Sequence, residues 1–298
     1  MHFGSLVAAL GSFLWSRGAG GRWLVRMEDL DTPRNVPGAA EEILRALEIH
    51  ALQWDEPVWW QSRRTEAYAE ALAGLRKGGW VYACGCSRRQ IAALGLRGEF
   101  GFRYPGSCRN RALPWSARRA IRLSSNGPIT SFEDAVRGPQ SQRVAEAVGD
   151  FVLRRADGLH AYQLAVVVDD AAQGVDMVVR GADLLGSTPR QILLQRRLGL
   201  PTPGYAHLPL ALTKAGVKLS KQSHAAPLNL RQPGTNLTAA LRFLGQRPPS
   251  ELATESPATV LDWALAHWSP SAVPGADLTI DDSPDPGQRD LRPDSTIA

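Results

Sequence analysis

The sequence predicts an α/β fold built on a parallel sheet with helices on its faces. Two observations carry this expectation. Helix-like and strand-like stretches alternate up to Ala83, and strand-like stretches with a further helix return later in the chain. Between Cys84 and Cys108 the pattern breaks. Gly and Arg dominate there and core residues are few, so this stretch reads as an insertion held by something other than a hydrophobic core.

Ser5 to Arg17 is apolar on most positions and ends at Gly18, a helix. Arg22 to Met27 alternates like a strand and leaves as an acidic loop, Glu28-Asp29-Leu30-Asp31. Pro37 opens a second helix to about His50, with Ile43, Leu44 and Leu47 on one face. A third helix covers Thr65 to Lys77, and Trp80 to Ala83 is a short strand. Beyond the insertion, strands are expected at Ala120–Leu123, Ile129–Phe132, Phe151–Arg154 and Met177–Arg180. Ala161 to Val168 is strongly β-prone and reads as a strand. Thr188 to Leu198 is a helix, with Pro189 in its first turn and Gly199 past its end. After Arg247 the chain turns rich in Pro, Ser and Asp. Ala258 to His267 forms one more helix, and disorder is expected from Ser269 onward.

The net charge of +5 is unevenly placed. Residues 277–298 carry six Asp and two Arg, a net of −4, so the rest of the chain carries 5 + 4 = +9. A basic body with an acidic tail suits a polyanionic partner, although many basic proteins bind no nucleic acid. No apolar run reaches the length of about 18 residues needed to span a bilayer. Met1 to Leu10 has no basic stretch ahead of an apolar one, so no secretory signal is expected. Three cysteines make no disulfide framework, and a reducing cytoplasm is the simpler setting.

Three constellations carry chemistry. His2-Phe3-Gly4-Ser5 stands just before a helix, where backbone N–H groups attract phosphate and Gly permits close approach. Lys218-Leu219-Ser220-Lys221-Gln222 follows the turn Thr213-Lys214-Ala215-Gly216. Two lysines three apart on a mobile loop can close over a triphosphate, or can simply be a solvated basic loop. Cys84-Gly85-Cys86 and Tyr104-Pro105-Gly106-Ser107-Cys108 gather every cysteine of the chain in the segment that lacks a core. That favours a structural metal over three reduced thiols.

Together, His-x-Gly before the first helix and Lys-Leu-Ser-Lys downstream resemble the paired motifs of the class I aminoacyl-tRNA synthetases. Arg26-Met27-Glu28-Asp29-Leu30-Asp31, Ala161-Tyr162 through Val166-Val167-Val168-Asp169-Asp170, and Arg180-Gly181-Ala182-Asp183 are similar to segments of its glutamyl branch. The resemblance covers about residues 1 to 245. The chain's short length and its cysteine segment resemble the glutamyl-queuosine branch.

The resemblance implies a class I Rossmann-like parallel sheet with an inserted α/β subdomain carrying a zinc site, and no anticodon-binding domain. The catalytic domain would span 1–247 with the insertion at about 80–150, leaving 248–298 as a short helix and tail. It further implies that Glu28 binds the α-ammonium of glutamate, Tyr162 hydrogen-bonds the amino acid, and Arg180 pairs with a glutamate carboxylate. His2, Gly4, Lys218, Ser220 and Lys221 would bind ATP, with His2 and Lys221 catalytic. Cys84, Cys86, Tyr104 and Cys108 would hold one zinc ion. ATP, with Mg²⁺, and L-glutamate would be substrates. The partner would be the anticodon stem-loop of tRNA(Asp) carrying queuosine. The protein would be a cytoplasmic monomer with no membrane contact.

Two rival readings stand beside this one: a truncated glutamyl-tRNA synthetase charging tRNA(Glu), and a non-catalytic tRNA-binding paralogue. The family pattern carries a strand and loop like Arg-Phe-Ala-Pro-Ser-Pro-x-Gly ahead of His-x-Gly, whereas here Met1 directly precedes His2. Without that strand, low stability and weak activity are expected, both restored by upstream residues.

Overall fold

The computed structural model describes residues 1–31, 35–99, 101–116, 118–219 and 227–280, and the backbone of 292–293. The first half runs α1 (Phe3–Gly18), β1 (Arg26–Met27), α2 (Ala39–Ile49), β2 (Trp59–Trp60), α3 (Thr65–Lys77) and β3 (Val81–Cys84). Next come α4 (Arg88–Ala93), β4 (Arg97–Gly98), β5 (Gly101–Phe102), β6 (Ala120–Leu123), β7 (Thr130–Asp134), β8 (Gly138–Gln142) and α5 (Val144–Ala147). Then come β9 (Phe151–Arg154), α6 (Tyr162–Ala172), β10 (Met177–Gly181), α7 (Thr188–Leu198), β11 (Gly204–Leu208) and β12 (Ala211–Leu212). The chain continues through α8 (Pro233–Phe243), α9 (Pro257–His267), β13 (Leu278–Thr279) and β14 (Arg292–Pro293).

Parallel pairing is present in β10–β11–β7 and in β1–β2, though β2 and β11 were not among the expected strands, while β8 adds an antiparallel edge. In contrast, β3, β6 and β9 form an antiparallel sheet. The strand expected over Arg22–Met27 is reduced to Arg26–Met27. Among the described strands β1 pairs only with β2, and β10 only with β11 on one side. Between them lies a cavity of about 780 Å³ lined by residues from both, including Leu24, Arg26, Glu28, Asp176 and Val178.

One core lies under α1, where Phe3, Leu6, Val7, Leu10, Phe13 and Leu14 form a helical stripe facing α8 and α9. Gly11 lets α1 approach β11, since a Cβ there would sit 2.5 Å from the Leu208 side chain. A second core joins α3, α6 and α7 to the antiparallel sheet. No element was expected between residues 222 and 247, yet eight of the 11 residues of α8 are buried, with Leu237, Leu241 and Phe243 fully enclosed.

Two expectations are corrected. Ala161–Val168 is not a strand: Tyr162 begins α6. Its Leu-Ala-Val-Val run is buried on nearly every side against the second core, and a helix buried all round has the apolar run of a buried strand. Nor is the chain disordered from Ser269. Val273, Leu278 and Ile280 are buried, β13 pairs with β12, and Arg137 bonds Asp277 at 2.5 Å. Three apolar anchors among prolines suffice to dock this segment, and composition averaged over the stretch hides them. Among the described residues, no helix is long and apolar enough to cross a membrane.

Candidate active site

His2 caps α1, its ring accepting from the Ser5 backbone N–H, so the imidazole stands at the positive end of a helix dipole. A cleft of about 160 Å³ brings His2, Gly4 and Ser5 beside Gly181, Asp183 and Lys218. The last three come from far along the chain: Gly181 ends β10, Asp183 follows it in a 3-10 turn, and Lys218 forms an antiparallel bridge with Leu212. Lys218 Nζ lies 2.5 Å from Asp183 Oδ2. Ser220 and Lys221 lie outside the described residues.

A second cluster adjoins it. Arg26 Nη2 donates to Asp170 at 2.8 Å and to Glu28 at 3.3 Å, while Nη1 donates to Gln173 at 2.8 Å. Burial pushes both carboxyls above their ordinary values, and Arg26 only partly offsets it. The rest of the acidic loop is clamped: Asp29 accepts from Ser62, and Asp31 from Arg155. Arg180 Nη1 donates to the Tyr162 hydroxyl at 3.4 Å, and the charge of Arg180 also acts on Glu28. Burial, then the Glu28 charge, raises the Tyr162 phenol. Glu28, Tyr162 and Arg180 are therefore within one electrostatic neighbourhood.

Behind Arg180 stands a buried polar network absent from the sequence reading. Thr188, Gln191 and His207 all bond its guanidinium, and His207 in turn bonds Asp134. Burial lowers His207 despite that carboxylate. Burial would raise Asp134, but hydrogen bonds from His207 and from backbone N–H groups hold it below the usual carboxylate range. A signal existed in Gly204–Leu208, where His207 is a lone polar side chain in an apolar strand.

The cysteine segment closes on itself. The thiols of Cys84, Cys86 and Cys108 lie within 4.8 Å of one another. The Tyr104 hydroxyl lies 3.3 Å from the Cys84 sulfur and 3.6 Å from the Cys86 sulfur, and accepts from the Cys108 N–H at 2.9 Å. Burial would raise Cys108, but bonds from Tyr104, the Gly85 backbone and the other thiols bring it down to about 7. Burial raises the Tyr104 phenol. Soft thiol donors around one point, with a fourth oxygen donor, suit a tetrahedral metal ion.

The model of the class I tRNA synthetases for E and Q, catalytic domain, matches residues 1–248. Over 282 residues the chain is 54% identical to a protein of Dechloromonas aromatica named glutamyl-Q tRNA(Asp) synthetase, a match covering 94% of each chain. The chain belongs to the glutamyl-Q tRNA(Asp) synthetase family. A second member, from Aromatoleum aromaticum, is 52% identical over 274 residues, 92% of this chain and 87% of that one. This family has the class I synthetase α/β fold. A glutamate tRNA ligase from Elizabethkingia meningosepticum, solved in complex with its amino acid, superposes with a TM-score of 0.76 at 24% identity. That likeness is one of fold alone. It covers 94% of this chain but 64% of the ligase, so this family member spans just under two thirds of the solved chain.

Proposed function

We propose that this protein activates L-glutamate with ATP and transfers the glutamyl group to the queuosine base at the wobble position of tRNA(Asp). The observation that carries the reading is the near-complete match to relatives so named. The catalytic unit is taken as residues 1–247, with the insertion at about 80–150.

In the first step a glutamate carboxylate oxygen attacks the α-phosphorus of ATP, and the bond to the bridging oxygen breaks, releasing pyrophosphate. His2, Gly4 and Lys218 supply positive potential and open backbone to the phosphates, with Ser220 and Lys221 completing that set. Mg²⁺ travels with the nucleotide. Glu28 takes the α-ammonium, Arg180 a carboxylate, and Tyr162 a polar atom of the amino acid. In the second step a hydroxyl of the queuosine cyclopentene diol attacks the adenylate carbonyl and AMP leaves. No covalent nucleophile is required. The protein contributes positioning and charge compensation.

A zinc ion on Cys84, Cys86, Cys108 and Tyr104 would be structural, cross-linking a segment that buries few apolar side chains. The protein acts as a monomer on the anticodon stem-loop, where splayed single-stranded bases can be read and basic residues give salt-dependent affinity.

The test offers labelled glutamate and ATP with tRNA(Asp) carrying queuosine, tRNA(Asp) carrying guanosine, and tRNA(Glu). Label is expected only on the first, surviving removal of the 3′-terminal adenosine and abolished by prior periodate. Label on the 3′ end of tRNA(Glu) would overturn the reading.

A further inference from the structure

Arg180 uses all three guanidinium nitrogens inside the protein. Its Nη2 donates to Thr188 Oγ1 at 2.8 Å and Gln191 Oε1 at 2.7 Å, its Nη1 to Tyr162, and its Nε to His207 Nε2 at 3.1 Å. His207 is wholly buried, and its Nδ1 lies 2.5 Å from Asp134 Oδ2. The other Asp134 oxygen accepts three backbone N–H groups, from Val136, Arg137 and His207 itself.

These contacts fix the proton positions. An ionised carboxylate only accepts, so Nδ1 carries the hydrogen. Arg180 Nε always carries a hydrogen, so Nε2 must present a lone pair. Thr188, which accepts from Arg180, has its own hydroxyl hydrogen left for Nε2 at 3.2 Å. His207 is thus a neutral imidazole in one tautomer, held between an anion and a cation. Sheet register builds the arrangement: Arg180 on β10 stands opposite His207 on β11, and Asp134 ends the neighbouring β7.

We propose that His207, oriented by Asp134, is a positioning residue that sets selection for a carboxylate-bearing amino acid by fixing the rotation of the Arg180 guanidinium. This rests on the reading that Arg180 pairs with glutamate. With Nε tied to His207 and Nη2 to Thr188 and Gln191, the guanidinium cannot turn about its axis, and Nη1 is left on the side of Tyr162. An Arg free to rotate would lose the aim of its remaining Nη1–H at a carboxylate and would discriminate less against the neutral amide.

Asp134→Asn is the sharpest test because it preserves shape. The Asn oxygen can keep the three backbone contacts, but its NH₂ then faces Nδ1. The imidazole must shift its hydrogen to Nε2, where it meets the Arg180 Nε–H donor to donor. In glutamate-dependent ATP–pyrophosphate exchange, KM for glutamate should rise about 10- to 100-fold, the scale of one hydrogen bond to a charged group, with KM for ATP unchanged. Preference for glutamate over glutamine should fall with it, and the ¹⁵N shifts of the His207 ring should show the exchanged tautomer. A matched pair at the histidine decides the matter if that variant does not fold. His207→Gln places an acceptor near the Nε2 position and should stay close to wild type. His207→Asn reaches only Asp134 and should show the rise. An unchanged glutamate KM, an equal rise in both KM values, or identical behaviour of the Gln and Asn variants would overturn the proposal. Wild-type exchange that does not depend on glutamate would instead fail the underlying reading of the site.

Discussion

Glu28 and Asp170 accept from the same guanidinium nitrogen, Arg26 Nη2, at 3.3 and 2.8 Å. Two carboxylates thus share one cation, Asp170 largely covered and Glu28 with 38% of its side chain open to the cavity, and desolvation raises the proton affinity of both. In the proposed function Glu28 takes the ammonium of glutamate, a role only its ionised form can fill.

A pH dependence follows. The folded-state value of Glu28 lies above the ordinary 4.5, so its protonated form favours folding below 4.5 and that stability is lost as pH rises through the folded value. Activity should run in the opposite sense, since the proposed capture of glutamate needs the ionised form. The acid limb of kcat/KM for glutamate should therefore fall at a pH above the ordinary carboxylate range. Glu28→Gln should lower kcat/KM throughout and flatten that limb. A limb left in place would assign it to Asp170.

Asp169 should matter for stability where Asp170 matters for activity. It is fully buried and accepts from Arg64 at 2.6 Å, Tyr68 at 2.6 Å and Gln61 at 3.2 Å, tying α6 to α3. One residue on, a helical turn of about 100° aims Asp170 at Arg26 instead. Asp169→Asn should destabilise the protein by about 2–4 kcal/mol in urea unfolding, because it leaves buried donors poorly paired and Arg64 without its anion. Asp170→Asn should cost less stability. Equal losses would contradict this division.

Lys221 lies outside the described residues, and its expected role comes from the resemblance alone. If it meets the pyrophosphate as charge grows there, Lys221→Ala should slow adenylate formation about 10²- to 10³-fold, with glutamate binding little changed. An unaltered exchange rate would remove Lys221 from the site.

What the sequence made legible was what lies close along the chain. His2 and Gly4 announce a helix start, and Cys84, Cys86, Tyr104 and Cys108 fall within 25 positions. Glu28, Tyr162 and Arg180 came from motif resemblance, and the fold does gather them. His207 left a local trace as a polar side chain in an apolar strand, but its contact with Asp134 stayed invisible because it depends on which strands neighbour which. The Val run of α6 misled because burial on all sides erases periodicity. The short β1 has a different cause. Its edge and that of β10 face one cavity without a described strand between them, and backbone groups with no partner strand have nothing to extend a ladder.

The metal segment offers a test that leaves every donor in place. Tyr104 is buried, and its carbonyl accepts the Asp150 N–H at 3.2 Å. Asp150 in turn accepts from Tyr82, Ser125 and both Nε and Nη2 of Arg109, so this carboxylate anchors the loop to the antiparallel sheet. Gly149 sits beneath it at a φ of +75°, and a Cβ there would come within 2.3 Å of the Tyr104 carbonyl oxygen. That neighbour is backbone, so it cannot swing aside. Gly149→Ala must push Tyr104 out of line with the three thiols, on top of the ordinary strain of a positive φ. Gly158 separates the two effects: its φ is +93° but a Cβ would meet nothing within 4 Å. Freshly purified Gly149→Ala protein should hold well under one zinc per chain by elemental analysis and melt several degrees below wild type, as should Cys86→Ser. Gly158→Ala should keep its zinc and lose only the strain, about 1–2 kcal/mol. Full zinc in Gly149→Ala would show that Tyr104 is no ligand, and wild-type protein free of metal would show that the thiols hold none.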